Sequence, residues 1–576
     1  MSEHKQGSVY ASRFWKKNWD EGLEDLDPKS WDISFPAAIQ DAFDSFPDKM
    51  ALAYQGLEIN FSQLDKWANS FAHMLIENGF EKGDIVGINV PNIPEYVITV
   101  VGALRAGCIV SGISALMSDV QMHYQINDLG AGTKKVCLVT LNAIFEHRLT
   151  PIASKLPDLK LVISTNVVGA FPKEQQEKIR AVRELPWGEV TPLEGKTVLD
   201  FWDDGMAKYS SDPVDVKIVP EDIAYIQYTG GTTGPPKGAM LTHKNAVSDL
   251  LLMQSWLGWE RGKGVALSGF PFFHIAGLFF CENCLYLGWS QVLIPDPRDT
   301  VHICNEMKKY KPTVLANVPS LYQLLLKTKK FKRLDHSILE VCVSAAAPFP
   351  VESQKQLEEM VGKGKLLELY GMTETSPLTT GNPSRGERKL GSIGMPVLNT
   401  ELKIVDEENN VVPLGDPGEI CIKGPMVMKG YHNKPEETAN VLDKDGWLKT
   451  GDIAYMDNEG YLRIVDRSKD MIIVGGYKVF STKIEDVLDK HPAIGMMALV
   501  GIPNPDRPGS EIVKAYIQLD PSFEFDGNVE ALKEEIISFA KEKCAPYEVP
   551  KIIEISDELP LTLVGKVDKK VLRAKK

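Results

Sequence analysis

The chain has 576 residues, 43% hydrophobic and 25% charged, the mix of a folded globular protein and not of a disordered one. That length exceeds one ordinary domain of ~100–200 residues. Lys and Arg number 64 against 78 Asp and Glu, a net charge of −14. So acidic a chain excludes a general nucleic-acid binder, because neutralising phosphates takes a basic face. No stretch reaches the ~18 uninterrupted apolar residues of a membrane span. The best candidate, 96–113, is broken by Arg105 and glycines. The polar segment 1–10 lacks the apolar core of a signal peptide, so a cytoplasmic location is expected.

In chain order, residues 10–19 interleave Tyr10, Phe14, Trp15 and Trp19 with Arg13, Lys16 and Lys17. This reads either as a foot for a membrane surface or as an arm packing its rings on the body, and the arm is favoured. Ser62-Gln-Leu-Asp65 resembles a capping box, and Leu64, Trp67, Ala68, Phe71 and Leu75 fall on one helical face. Residues 85–90, 136–140 and 159–163 read as buried strands, with a helical run ending at Leu104 between the first two. Strands alternating with helices predict parallel sheets covered on both faces. Residues 401–423 are rich in strands and turns, with a turn cluster at 413–418. After Arg467 the chain restarts as a compact unit: helix 484–488, strands 497–502 and 512–519, helix 529–544. The eight cysteines stand singly except Cys281 and Cys284, which read as buried, reduced thiols because no second pair lies at zinc-ligand spacing.

The strongest local signal is Tyr228-Thr-Gly-Gly-Thr-Thr-Gly-Pro-Pro-Lys-Gly238, which follows the apolar run 223–226. Its glycines let the chain bend tightly, its threonines add O–H donors, and Lys237 adds positive charge; that combination suits polyphosphate. It is not a Walker A loop, because Lys237 does not directly follow a glycine and Gly238 stands where the metal-binding Ser or Thr would be. A structural turn explains such loops equally well when they are read alone.

Further segments match in order. They are Tyr370-Gly-Met-Thr-Glu-Thr375, Thr450-Gly-Asp452, Asp466-Arg-Ser-Lys-Asp-Met-Ile472 and Pro560-Leu-Thr-Leu-Val-Gly-Lys566. Together with the Gly/Thr loop they resemble the adenylate-forming acyl-CoA synthetase family, from about residue 35 to 573. Gly230 beside Gly231, where the family commonly has Ser or Thr, resembles the bacterial long-chain fatty-acid ligases.

The resemblance implies roles. Thr229, Gly230, Gly231, Thr232, Thr233, Gly234 and Lys237 would hold the phosphates of ATP. Tyr370, Gly371 and Met372 would lie at adenine, with Tyr370 stacking on it. Thr373 would donate to the α-phosphate. Glu374 would hold Mg²⁺. Asp452 and Arg467 would lie at the ribose. Lys566 would bridge the acid's carboxylate and the α-phosphate. Lys469 would be the hinge, Gly475 and Gly476 would let the pantetheine of coenzyme A approach, and His274 would gate the acid's path. An isolated histidine in the apolar segment 271–277 reads equally as a core residue. Ala345, Ala346 and Ala347, near 317–319, would line the acid pocket with Cys281 to Leu287. Small residues and the absence of charge in 344–348 favour an apolar tail.

The expected fold is α/β. Residues 1–468 form a large domain of layered sheets with a small β-rich portion, and 469–576 form a mobile α+β lid. The expected reaction is ATP- and Mg²⁺-dependent joining of an apolar acid, a fatty acid first, to coenzyme A through acyl-AMP. Ligation of an alicyclic or aromatic acid, loading of a carrier protein and a silent binding protein stand as alternatives. The expected partners are the acid, ATP and coenzyme A, with no nucleic acid; a peripheral membrane contact and a homodimer stay open.

Overall fold

A computed structural model of the chain describes residues 9–131, 134–229, 235–505, 507–521, 523–562 and 567–575. Among the described residues, two large sheets dominate. The nine-stranded sheet runs in space from Met395–Pro396 through Leu378–Gly381, Leu366–Gly371, Val341–Ser344, Val314–Asn317, Val265–Ser268, Ser290–Leu293 and Met50–Tyr54 to Leu57–Asn60. Its six central strands are parallel and its edges antiparallel. The eight-stranded sheet runs from Gly430–Tyr431 through Lys237–Thr242, Ile223–Thr229, Ile109–Gly112, Ile85–Asn89, Val136–Leu141 and Leu159–Thr165 to Thr197–Asp200. The expected strands at 85–90, 136–140 and 159–163 are central here, and their unbroken apolar runs reflect burial on both faces.

Two helices form the layer between the sheets. His243–Leu257 touches strands of both sheets, and Ile275–Leu287 packs on it. Asp249 on the first helix accepts from Leu378 N of the nine-stranded sheet at 2.8 Å. Glu282 on the second is hydrogen-bonded by Tyr225 of the eight-stranded sheet. The segment Cys281 to Leu287, expected to line the acid pocket, therefore carries a buried carboxyl. Cys281 and Cys284 are buried free thiols, as expected.

A four-stranded antiparallel sheet follows, in the order Glu401–Val405, Gly418–Lys423, Leu448–Met456, Leu462–Arg467. From Ile472 onward the chain builds its own apolar clusters on a three-stranded sheet of Ile494–Pro503, Glu511–Leu519 and Ile552–Ile555. The chain is thus an α/β protein with a large N-terminal domain and a smaller C-terminal one.

Two local expectations need correction or choice. The helix beginning at Phe61 is capped by Asn60, whose side chain accepts from Gln63 N at 2.8 Å, so Ser62 lies inside the helix and is not its cap. Residues 10–19 form an arm: Tyr10, Trp15 and Trp19 are 4%, 0% and 7% exposed. Trp19 Nε1 donates to Pro396 O at 3.1 Å and Asn18 to Glu459 O at 2.7 Å. Those three buried rings are not presented as a membrane foot. No helix among the described residues is long and apolar enough to cross a membrane.

Candidate active site

The sequence-marked residues gather where parallel strands end, the place where open α/β sheets bind ligands. Ser344 ends its strand beside Asn317 on one side and Glu368 on the other. Ala345, Ala346 and Ala347 follow at once and are half-buried, with Ala346 at φ +72°. The next strand ends at Tyr370 and Gly371. A Cβ on Gly371 would stand 1.6 Å from Pro377 O, so only glycine lets the chain fold back there. That fold-back is held by Met372 N donating to Pro377 O at 3.1 Å, and it turns Thr373 and Glu374 into the buried 3-10 turn Thr373–Thr375.

One corner collects Tyr370, Asp452 and Arg467. The Tyr370 hydroxyl donates to Asp452 Oδ2 at 2.6 Å, and Arg467 Nε lies 3.2 Å from Asp452 Oδ1. The two arms of this corner come from paired strands, with Asp452 opposite Arg467. Burial and the Asp452 charge hold the Tyr370 phenol well above its ordinary pKa.

Glu374 is 6% exposed, and burial raises its carboxyl pKa against the Tyr431 hydroxyl, which donates to Oε1 at 2.7 Å. Lys237 pairs with Glu437 at 2.7 Å, and its Nζ lies 4.9 Å from the centre of the Tyr431 ring. Among the described residues no group of three or more His, Cys, Asp or Glu could hold a metal unaided. One buried carboxylate, on the same tyrosine as Lys237, fits Mg²⁺, which keeps waters and takes other oxygens from phosphates.

The strand Ile223–Thr229 leads into the Gly/Thr loop, and Lys237–Thr242 leads out, with Thr229 opposite Lys237. Asp128 fastens this base: it accepts from the Tyr228 hydroxyl at 2.6 Å and pairs with Lys434 at 3.4 Å. Gly230, Gly231, Thr232, Thr233 and Gly234 lie outside the described residues, as does Lys566.

His274 caps the helix Ile275–Leu287, its Nδ1 accepting from Ala276 N at 3.3 Å with the ring half-buried. Asn92 fixes the loop before it, donating to Phe270 O at 2.9 Å and accepting from Phe272 N at 2.8 Å. Tyr96 donates to Phe272 O at 2.8 Å. Lys469 is exposed in the turn after Arg467. Gly475 and Gly476 form the tip of the hairpin Ile472–Val474 to Tyr477–Val479, at φ +61° and +92°. Burial and the Arg467 charge lower the Lys469 ammonium below its usual value, and Asp452 and Glu374 are also within electrostatic reach of it, whereas Gly475 N donates to Ser510 Oγ at 2.8 Å, within the C-terminal unit.

Sequence reasoning missed Tyr431, Asp128, Asn92 and Tyr96. Tyr431 lies 57 residues from Glu374 and Asp128 lies 100 from Tyr228, so only the fold joins them. The local signal for Tyr431 was Gly-Tyr shortly before Pro435, where a short strand turns into a helix.

Comparison with known proteins bears on the same residues. The AMP-binding enzyme family matches residues 39–432, and the AMP-binding enzyme C-terminal domain matches 483–566. A long-chain-fatty-acid–CoA ligase of Escherichia coli O6:H1 is 36% identical over 535 residues, 92% of each chain. One of Bacillus subtilis is 37% identical over 542 residues, again 92% of each. The anthranilate CoA ligase AuaEII, solved with anthranoyl-AMP, superposes with a TM-score of 0.82 at 26% identity, covering 95% of this chain and 98% of that one. ATP-bound MatB from Rhodopseudomonas palustris gives 0.79 at 27% identity, covering 94% and 98%. Two matched domains in order and near-full-length relatives above 30% identity lead to one conclusion: the chain belongs to the AMP-binding enzyme family.

Proposed function

We propose that this chain is an AMP-forming acid–CoA ligase that activates a fatty acid with ATP and Mg²⁺ and transfers the acyl group to coenzyme A. The observation that carries the reading is the convergence of the Tyr370–Asp452–Arg467 corner with the buried Glu374 and Lys237 at the strand ends. A nucleoside is held at one end of that row and its phosphates at the other. The fatty-acid choice rests on the E. coli and B. subtilis relatives.

In the first step a carboxylate oxygen bonds to the α-phosphorus. The bond from that phosphorus to pyrophosphate breaks, and pyrophosphate leaves with the electron pair. Two anions must meet, so the site supplies positive charge and fixed donors. Asp452 accepts the ribose hydroxyls, Tyr370 stacks on adenine, and Thr373 donates at the α-phosphate. Lys237 and the Gly/Thr loop hold the outgoing phosphates, and Lys566 neutralises the charge that builds between acid and phosphate. Glu374 would hold Mg²⁺, which when bound would supply Lewis-acid withdrawal of charge at the phosphates. In the second step the coenzyme A sulfur bonds to the acyl carbon, AMP leaves with the C–O electron pair, and the thiol proton passes to solvent.

In this reading residues 1–468 carry the first step with Lys566 reaching in from 469–576, and 469–576 swing about Lys469 for the second. The contacts across that boundary support mobility. They include the exposed ion pairs Lys327–Asp520 at 3.2 Å and Lys478–Glu407 at 2.6 Å, and such pairs contribute little to stability. His274 guards the acid's entry from its capping position, while Ala345, Ala346 and Ala347 line the acid's bed. A cytoplasmic enzyme is the reading that goes with ATP and coenzyme A, the two water-soluble substrates.

A second reading, an aromatic acid as substrate, is favoured by the likeness to the anthranilate CoA ligase. ATP–pyrophosphate exchange over short, medium and long fatty acids, benzoate, anthranilate and cyclohexane carboxylate tests both. Exchange peaking on a long chain supports the proposal, and a peak on a ring acid supports the second reading. No exchange with any acid overturns both. Offering coenzyme A or a pantetheine-bearing carrier protein to the loaded enzyme then identifies the acceptor.

A further inference from the structure

Tyr431 has no role in the reading above, yet it touches both charged groups of the phosphate end. It lies on the short strand Gly430–Tyr431, which pairs antiparallel with the strand leaving the Gly/Thr loop. Tyr431 stands opposite Ala239 and Gly430 opposite Met240. This register sets the ring two positions from Lys237. The residue is 6% exposed. Its hydroxyl donates to Glu374 Oε1 at 2.7 Å, and its ring centre lies 4.9 Å from Lys237 Nζ.

The surrounding backbone holds this arrangement. Met428 N donates to Glu374 O at 2.9 Å, and Tyr431 N donates to Thr438 Oγ1 at 2.9 Å. His432 N donates to Gly238 O at 2.7 Å. One segment, 428–438, therefore grips the backbone on both sides of the phosphate end. Lys237 meets Glu437 of the same segment at 2.7 Å.

Each half of the tyrosine has a physical job. A hydrogen bond to one carboxylate oxygen fixes the plane of the carboxylate and leaves the other oxygen aimed, as outer-shell donors do at metal sites. An aromatic face beneath an ammonium restrains a lysine that otherwise roams on a four-carbon stem. Phenylalanine could do only the second job, and serine or threonine only the first.

We propose that Tyr431 is a positioning residue that aims Glu374 at the metal with its hydroxyl and holds Lys237 toward the phosphates with its ring. This rests on the adenylation reading of the site. A tyrosine that merely fills the core would affect stability and nothing else.

The test uses the full chain with Tyr431→Phe and Tyr431→Leu, each checked for folding by far-UV circular dichroism. Mn²⁺ binding is followed by electron paramagnetic resonance in the presence of α,β-methylene ATP, which cannot be cleaved between those phosphates. Binding of the same nucleotide in EDTA is followed by calorimetry. Tyr431→Phe is expected to weaken Mn²⁺ binding by about tenfold or more while leaving metal-free nucleotide binding within about twofold, because the ring remains. Tyr431→Leu is expected to weaken metal-free nucleotide binding by a further ~2–5-fold. Mn²⁺ binding to folded Tyr431→Phe within twofold of the parent, or tighter, overturns the proposal; equal metal-free affinities for the two variants overturn the lysine half. Should the leucine variant not fold, Tyr431→Met, which also lacks the ring, takes its place for the lysine half, and the phenylalanine variant decides the metal half by itself. Failure of the adenylation reading has a different signature, since the parent protein then does not bind the nucleotide at all.

Discussion

At the scale of single residues, the protein uses buried charge in two ways. Around the Tyr370 corner, Asp452 is paired with Arg467 and accepts from Tyr370. Between the sheets, Glu282 has the Tyr225 hydroxyl as its hydrogen-bond partner and no cation beside it among the described residues, and burial pushes its carboxyl up to about 8. A carboxyl raised in this way stays protonated in the folded chain where the unfolded chain has already ionised. Its contribution to stability is therefore complete below the ordinary value of 4.5 and is lost as pH rises through about 8. The proposed reaction gives Tyr225 and Glu282 no chemical step, so Glu282→Gln isolates this effect. Melting temperature measured from pH 5 to 9 should fall less steeply for Glu282→Gln than for the parent; parallel curves would contradict the assignment. In the proposed reaction the counterpart is Lys566. Lys566→Ala should slow adenylation by roughly 10²–10³, the loss typical of one preorganised donor, while thioester formation from supplied acyl-AMP continues. Equal loss of both half-reactions would remove Lys566 from its role.

At the scale of elements, the hairpin Ile472–Val474 to Tyr477–Val479 presents a two-glycine tip. Nothing lies within 4 Å of a Cβ added to Gly476, whereas one on Gly475 would stand 2.7 Å from Arg507 Nη1. A bulky side chain at Gly476 therefore points into open space, though its φ of +92° strains any non-glycine residue. Gly476→Phe is expected to slow thioester formation by roughly 10–100-fold, as small misplacements of a reacting thiol do, with pyrophosphate release unchanged. Slowing of both by one factor would move the thiol's approach elsewhere. Elements were legible in the sequence where burial was two-sided or periodic: the strands Ile85–Asn89, Val136–Leu141 and Leu159–Thr165, and the one-faced helix Phe61–Glu77. Its start was misplaced because Asn60 and Ser62 are both good caps and nothing local chooses between them. The helix Ile275–Leu287 is buried almost all round, so it shows no period, and its histidine cap could not be told from a core histidine. Motif residues were legible because each sits on a short local signature. Tyr431 and Asp128 were not, because what they touch is brought to them by sheet pairing.

At the scale of the whole molecule, the large domain and the smaller one after Ile472 have separate apolar clusters. The helix Ser481–Leu488 packs on the strand Leu462–Arg467, and the links between the two include polar ones. Asp466 accepts from the Ser481 hydroxyl at 3.1 Å beside the turn that holds Lys469, and two exposed ion pairs lie farther out. Separate cores joined by polar links allow rigid-body rotation about a short turn. Lys469→Pro, which fixes one backbone angle in that turn, should change the rates of the two half-reactions by different factors at unchanged melting temperature. Equal factors, read from pyrophosphate exchange and from thioester formation on supplied acyl-AMP, would place the pivot outside Lys469.

The arm at residues 10–19 has a consequence for how the protein is made. Trp15 packs so closely on Gly460 that a Cβ there would stand 2.3 Å from its own, and Asn18 bonds Glu459, 441 residues downstream. A ribosome adding roughly 5–20 residues each second needs about 20–90 s to travel that distance. For that interval the nascent chain carries tryptophans whose berth has not yet been synthesised. Final closure of the large domain is therefore post-translational with respect to most of its own length, and a holdase that shields aromatic side chains should raise the yield of folded protein.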